Sequence, residues 1–114
     1  MAQTSSATGL SRLAERFAAQ LPERLDALEE VTRKISVGSD NSKAIASIEH
    51  IVHNFSGSAP VFGYTELGAH AMQAEDLVIA MSKGETPSDE NTLGQLKTMI
   101  FQLREHARND ELND

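Results

Sequence analysis

The sequence contains no cysteine and no tryptophan, and aromatic residues make up only 4% of its 114 positions. Without cysteine, a disulfide framework and a thiolate zinc site are both excluded. No apolar run approaches the roughly 20 residues that a membrane-spanning helix needs. Residues 1–9 lack the basic and apolar regions of a signal peptide, so we expect a cytoplasmic protein.

The chain is also poor in positive charge. It has 10 Lys and Arg against 17 Asp and Glu, which gives a net charge of −7, and the basic residues are scattered among the acids. Nucleic-acid binding normally needs a basic face or an aromatic platform, so we expect no nucleic-acid partner. A chain of this length forms one small domain, which we expect to be a monomer.

Helical periodicity covers most of the chain, and no segment alternates apolar and polar residues as a strand would. The pattern predicts a short first helix, an interruption at Pro22 and a second helix that ends near Gly38. Three further helices follow, with apolar stripes through 45–55, 67–81 and 93–107. The last of them is predicted to begin at the cap and proline signals of 86–89.

Four long amphipathic helices with short connections predict an all-α fold, an antiparallel up-down four-helix bundle with a short additional N-terminal helix. We expect the bundle to occupy residues 9–108, between a flexible N-terminus at 1–8 and a flexible C-terminal tail at 109–114. The polar ends and the initiating methionine lead us to expect a free-standing protein and not a domain excised from a larger one.

The segment 49–63 carries the clearest functional signal. His53 and Gly57 lie four residues apart and therefore share a face of the predicted helix. Glycine inside a helix costs about 1 kcal/mol relative to alanine, and access of a bulky group to the imidazole would explain its presence. The core stripe passes through Val52, which leaves His53 on a polar flank. This flank also holds Glu49, His50, Ser56 and Gly57. For an arbitrary histidine, a solvated surface residue is the simpler interpretation.

The run His53-Asn54-Phe55-Ser56-Gly57-Ser58-Ala59 resembles the motif of the histidine phosphotransfer (HPt) domain family. That motif has histidine, any residue, an apolar residue, usually lysine, glycine and two small residues. The second glycine of the family falls on Gly63, and the acidic or amide residue of its next helix falls on Glu75. The motif-level match spans roughly residues 45–78.

The resemblance implies a phosphoryl-group carrier in two-component signalling. His53 would accept the group from the aspartyl phosphate of one receiver domain and pass it to the aspartate of another. The partners would be response-regulator receiver domains or a hybrid histidine kinase. The domain itself would have no kinase activity, and no glycine-rich GxxxxGK loop is present. Mg²⁺ would sit in the receiver, so we expect no cofactor and no tight metal site in this chain.

Two further residues are given roles beside His53. Neutral imidazole is the nucleophile, so one ring nitrogen must be free while the other carries the proton. We expect Glu75 to accept that proton in a hydrogen bond and to stabilise the positive imidazole that forms; an ordinary solvated acid is the alternative. Gly57 would give clearance to the partner. Gly68 would do the same on the facing helix, or would allow close helix packing instead.

Ser56 departs from the family pattern, which usually has lysine at this position to steady the phosphoryl oxygens. Either the partner's own lysine and metal ion suffice, or His50 supplies charge when protonated. We expect Ser56→Lys to keep or raise the phosphotransfer rate. The docking surface should surround His53, with contributions from Leu10, Leu13 or Phe17 if these are not core residues.

Two other functions remain open at this point. A non-catalytic adaptor would bind receiver domains without accepting phosphate. A metal-binding bundle would use ligand spacings such as Glu49/His53 and Glu66/His70, together with His50 and Glu75, although the Glu-x-x-His motif of di-iron bundles is absent. His70 and His106 are otherwise interpreted as surface residues.

Overall fold

The computed structural model describes residues 2–113 of the chain, and the side chains of residues 9–113. Within that range the chain forms four α-helices, one 3₁₀ turn and no strand. The elements are α1 (Ala2–Arg33), α2 (Ser42–Ser58), the 3₁₀ turn Pro60–Phe62, α3 (Thr65–Ser82) and α4 (Glu90–Leu112). Helix α2 packs on α3, α3 on α4, and α1 on both α2 and α4, which confirms the predicted four-helix bundle.

The core lies along the bundle axis and confirms the predicted apolar stripes. Its largest fully buried side chains come from all four helices and from the segment after α1: Leu28, Thr32, Ile35, Ile48, Val52, Phe55, Leu67, Val78, Leu96, Ile100 and Leu103. Phe17 is also buried, whereas Leu10 and Leu13 remain about half exposed. Burial on one stripe of each helix supplies most of the stabilisation, since propensity alone rarely holds short helices.

The predicted break at Pro22 is wrong, and the predicted short N-terminal helix is the first part of α1. Proline in a helix interior removes one backbone hydrogen bond and costs about 3 kcal/mol. The helix continues because Leu21 and Leu25 are buried on either side of Pro22, while Pro22 itself faces solvent. Packing of the apolar stripe therefore outweighs the local penalty.

The C-terminal end of the bundle lies further along the chain than predicted. Helix α4 continues to Leu112, so the segment 109–112, expected to be a flexible tail, is helical. Asp110 is buried, and its two carboxylate oxygens accept hydrogen bonds from the backbone N–H groups of Glu66 and Leu67, each at 2.9 Å. These bonds tie the last turns of α4 to the start of α3.

At the other end, the backbone of residues 2–8 belongs to α1, and the side chains of residues 1–8 lie outside the described residues. The flexibility expected there stays a prediction.

Helix α4 begins later than the signals at 86–89 suggest, because Asp89 is its N-cap and accepts a hydrogen bond from the N–H of Thr92 at 2.9 Å. Among residues 2–113, no helix combines the length and apolar character that crossing a membrane requires.

Candidate functional site

His53 projects from the flank of α2 into solvent. Its neighbours Val52 and Phe55 are buried and fix the rotation of the helix, so the imidazole lies outside the core with 71% of its side chain exposed. Its Nδ1 atom lies 2.5 Å from Oε2 of Glu75, on α3. The antiparallel packing of α2 on α3 thus brings together two residues that are 22 positions apart in the chain.

The Glu75 carboxylate determines which ring nitrogen carries the proton. An ionised carboxylate can only accept hydrogen bonds, so Nδ1 of His53 is the donor, and in the neutral ring Nε2 keeps its lone pair. Within residues 9–113, Nε2 makes no hydrogen bond to the protein. A neutral imidazole in this arrangement has an unprotonated Nε2 atom on a largely exposed ring, which is the form a nucleophile requires.

Glu75 is itself held in place. Only 14% of its side chain is exposed, and its Oε1 atom lies 3.3 Å from the hydroxyl of Ser56. The same hydroxyl lies 2.9 Å from the backbone oxygen of His53, so its one proton is shared between two acceptors. Ser56 therefore supports the carboxylate, on the Nδ1 side of the imidazole.

The two glycines near the site differ in their surroundings. A Cβ atom at Gly57 would meet no other heavy atom of the described residues within 4 Å, so packing within the chain does not require glycine there. Gly68 is buried, and a Cβ atom there would lie 2.5 Å from Cγ of Pro60. Close packing explains Gly68, and the alternative of clearance for a partner is wrong for this residue.

Glu49 and His50 lie near His53 in sequence but do not join its hydrogen-bonding group. His50 is exposed, and its Nε2 atom lies 3.4 Å from the side-chain nitrogen of Asn54. Glu49 is half-buried and lines a shallow depression together with Asn41 and Met81. The structure therefore groups Ser56 and Glu75 with His53, and leaves Glu49 and His50 to the side.

A family model described as the Hpt domain matches residues 12–106. The chain belongs to the Hpt domain family. Comparisons with curated proteins and with solved structures found no match. This match confirms the family resemblance that the sequence motif indicated. Hpt domains act in histidine phosphotransfer within phosphorelays, where they generally interact with receiver domains or kinases.

The Hpt domain also contains a polar group that the sequence did not predict. On α4, Nδ1 of His106 lies 3.1 Å from Oε1 of Glu66, and the ring of His106 stacks on that of His70 with 3.5 Å between centroids. The spacing of Glu66 and His70 was visible in the sequence as a helical i, i+4 pair. The contribution of His106 depends on the register of α3 against α4, which no local pattern reveals.

Proposed function

We propose that this Hpt domain carries a phosphoryl group on Nε2 of His53 and relays it between the aspartates of receiver domains. The observation that supports the proposal best is the contact between Nδ1 of His53 and Glu75, since it leaves Nε2 unprotonated on an exposed ring. The cytoplasmic location expected from the sequence belongs to the same proposal.

The transfer step follows from this arrangement. The lone pair on Nε2 of His53 attacks the phosphorus of a receiver's aspartyl phosphate, a new N–P bond forms, and the P–O bond to the aspartate breaks. The aspartate leaves as a carboxylate. The imidazole keeps its proton on Nδ1 and gains positive charge, which the adjacent Glu75 carboxylate stabilises. The reverse sequence passes the group to the next aspartate.

This chain contributes little beyond position and charge, as is usual for phosphoryl transfer. Rigid packing of α2 on α3 holds the imidazole, and the open space at Gly57 lets the receiver's loops approach. Magnesium is expected in the acidic pocket of the receiver. A groove between α1 and the 3₁₀ turn is lined by the apolar Leu13 and Phe62, with the core residue Phe17 at its base and Arg16, Gln20, Arg24 and Ser58 around it. It offers the receiver a mixed apolar and polar contact near the end of α2.

The test is a phosphotransfer assay with a panel of phosphorylated receiver domains and Mg²⁺. The wild-type protein and the His50→Gln control should acquire an acid-labile, base-stable label, whereas His53→Gln should acquire none. Label on His53→Gln would contradict the proposal. Binding of a receiver without any label on the wild type would instead favour the adaptor function.

A further inference from the structure

A cluster of three potential metal ligands lies where α3 meets α4. Glu66 and His70 come from α3 and His106 comes from α4, and one ligand atom from each lies within 4.8 Å of the other two. We propose that these three residues form a site for a single divalent transition-metal ion of the zinc class. The proposal departs from the sequence-based expectation of no tight metal site.

The spacing of the ligand atoms suits one ion. Two ligands bonded at about 2.0–2.2 Å to a tetrahedral zinc ion lie about 3.3–3.5 Å from each other. Nδ1 of His106 and Oε1 of Glu66 are already 3.1 Å apart. Glu66 and His70 are four residues apart and share a face of α3, so the second histidine approaches the same point.

The imidazoles of His70 and His106 are parallel, with an interplanar angle of 3°. Lone pairs lie in the ring planes, so the rings must turn for both to point at one ion. Rotation is feasible because all three side chains are only partly buried; for His106 and Glu66, 20% and 40% of the side chain are exposed. An ion would replace the proton now shared between His106 and Glu66.

The chemistry of the ligands selects the metal. Two imidazole nitrogens and one carboxylate suit Zn²⁺, Co²⁺, Ni²⁺ or Cu²⁺, whereas Mg²⁺ and Ca²⁺ prefer oxygen ligands. Three protein ligands leave a fourth position for water. The set therefore matches an open zinc site and not a closed structural one.

The backbone that carries these ligands is fixed independently of the metal. Asp110, one helical turn after His106 on α4, accepts the backbone N–H of Glu66 at 2.9 Å. The start of α3 is thereby held against the turn of α4 that follows His106. A site whose ligands come from rigid, mutually bonded elements loses little conformational freedom when it binds an ion.

This cluster is separate from the phosphotransfer residues. Glu66 and Glu75 are nine positions apart on α3, which places them about half a turn from each other around the helix. Glu66 therefore lies at the edge of α3 that faces α4, and Glu75 at the edge that faces α2. The proposal stands or falls independently of the role of His53.

The experiment uses the full chain without an affinity tag, titrated with Zn²⁺ by calorimetry and with Co²⁺ by visible absorption. We expect one ion per chain, and His70→Gln, His106→Gln and Glu66→Gln should each weaken binding about tenfold or more. His50→Gln and His53→Gln serve as matched controls and should bind as the wild type does. Circular dichroism without metal shows which variants remain folded, and Glu66→Gln keeps the size of the original side chain.

Two outcomes would overturn the proposal. One is the absence of binding of either ion by the folded wild-type protein when the ion is in molar excess over the chain. The other is binding that His53→Gln abolishes while the folded cluster variants retain it, which would place the ion beside Glu75 instead.

Discussion

At His53, one neighbouring carboxylate lies against one of the two ring nitrogens. Glu75 accepts a hydrogen bond from Nδ1, and Ser56 in turn lies against the second oxygen of Glu75. The exposed Nε2 atom therefore owes its availability to groups on the opposite side of the imidazole. The serine that replaces the usual lysine of the family takes part in that support.

The charge of Glu75 should matter more than its shape. In Glu75→Gln the amide oxygen can still accept a hydrogen bond from Nδ1 of His53, but the negative charge proposed to stabilise the phosphorylated ring is lost. Hydrogen bonds to charged groups exceed neutral ones by about 1–2 kcal/mol, so we expect the transfer rate to fall about tenfold. Rapid-quench kinetics with one phosphorylated receiver would measure it.

Glu49→Gln is the matched control for that experiment. Glu49 is a half-buried carboxylate on the same face of α2 as His53, but within the described side chains it makes no hydrogen bond to His53. Its transfer rate should equal that of the wild type. Equal rates for the wild type and Glu75→Gln would show that Glu75 does not act on the ring.

Substitutions at Gly57 should change docking of the receiver without destabilising the fold. Alanine at this position meets open space and has the higher helix propensity, so Gly57→Ala should leave the free energy of unfolding unchanged or raise it by up to about 1 kcal/mol. Gly57→Leu should fold as well but slow transfer from the receiver, because its side chain occupies the approach to His53. Thermal melting and the transfer assay measure the two effects, and undiminished transfer by Gly57→Leu would contradict this role.

At the level of the helices, α3 depends on α4 for its N-terminal cap. The N-cap residue Tyr64 supplies no side-chain cap, and the carboxylate of Asp110 instead accepts hydrogen bonds from the N–H groups of Glu66 and Leu67 in the first turn. Helix N-termini with unsatisfied donors are costly when buried, so this tertiary cap is a strong link between the two helices.

Asp110→Ala should therefore lower the free energy of unfolding by about 1–3 kcal/mol, because it leaves two backbone donors at the start of α3 without their acceptor. Urea unfolding followed by circular dichroism would measure the change. Glu105→Ala, an exposed substitution in the same helix, is the control and should stay within about 0.5 kcal/mol of the wild type. A stability of Asp110→Ala equal to that of the control would contradict the capping role.

The periodic apolar stripes were enough to predict the helices α2, α3 and α4 and most of their core. The errors fell where a distant contact outweighs a local signal. Pro22 predicts a break, yet α1 continues past it because Leu21 and Leu25 are buried. The polar sequence around Asp110 predicts a flexible tail, yet the Asp110 carboxylate caps α3 at Glu66, 44 positions earlier in the chain.

Across the whole molecule, polar contacts between helices add to the packing of the apolar core. Arg104 on α4 donates to Glu29 and Asp26 on α1, at 3.1 Å and 2.6 Å. The bonds to Glu29, with a smaller contribution from Asp26, raise the pKa of Arg104 above its usual value. Together with the Asp110 cap and the Glu75 contact, these bonds join α1 to α4, α3 to α4 and α2 to α3.

In the candidate site too, some features follow from the sequence of one helix, and others depend on how the helices pack against each other. His53, Gly57 and Glu75 could be found from the motif and its spacing, because each follows from a pattern within one helix or a fixed separation. The assignment of Nδ1 as the donor could not, since it needs the orientation of α2 on α3. The pairing of His106 with Glu66 needs the register of a third helix.

His53 is proposed to react through Nε2 while Glu75 accepts a hydrogen bond from Nδ1. The most direct measurement is nuclear magnetic resonance of ¹⁵N-histidine-labelled protein after transfer from a phosphorylated receiver, with ³¹P–¹⁵N couplings to identify the bonded nitrogen. We predict a single phosphohistidine at His53 with phosphorus on Nε2 and the proton retained on Nδ1. Phosphorus on Nδ1, or on a histidine other than His53, would contradict the account.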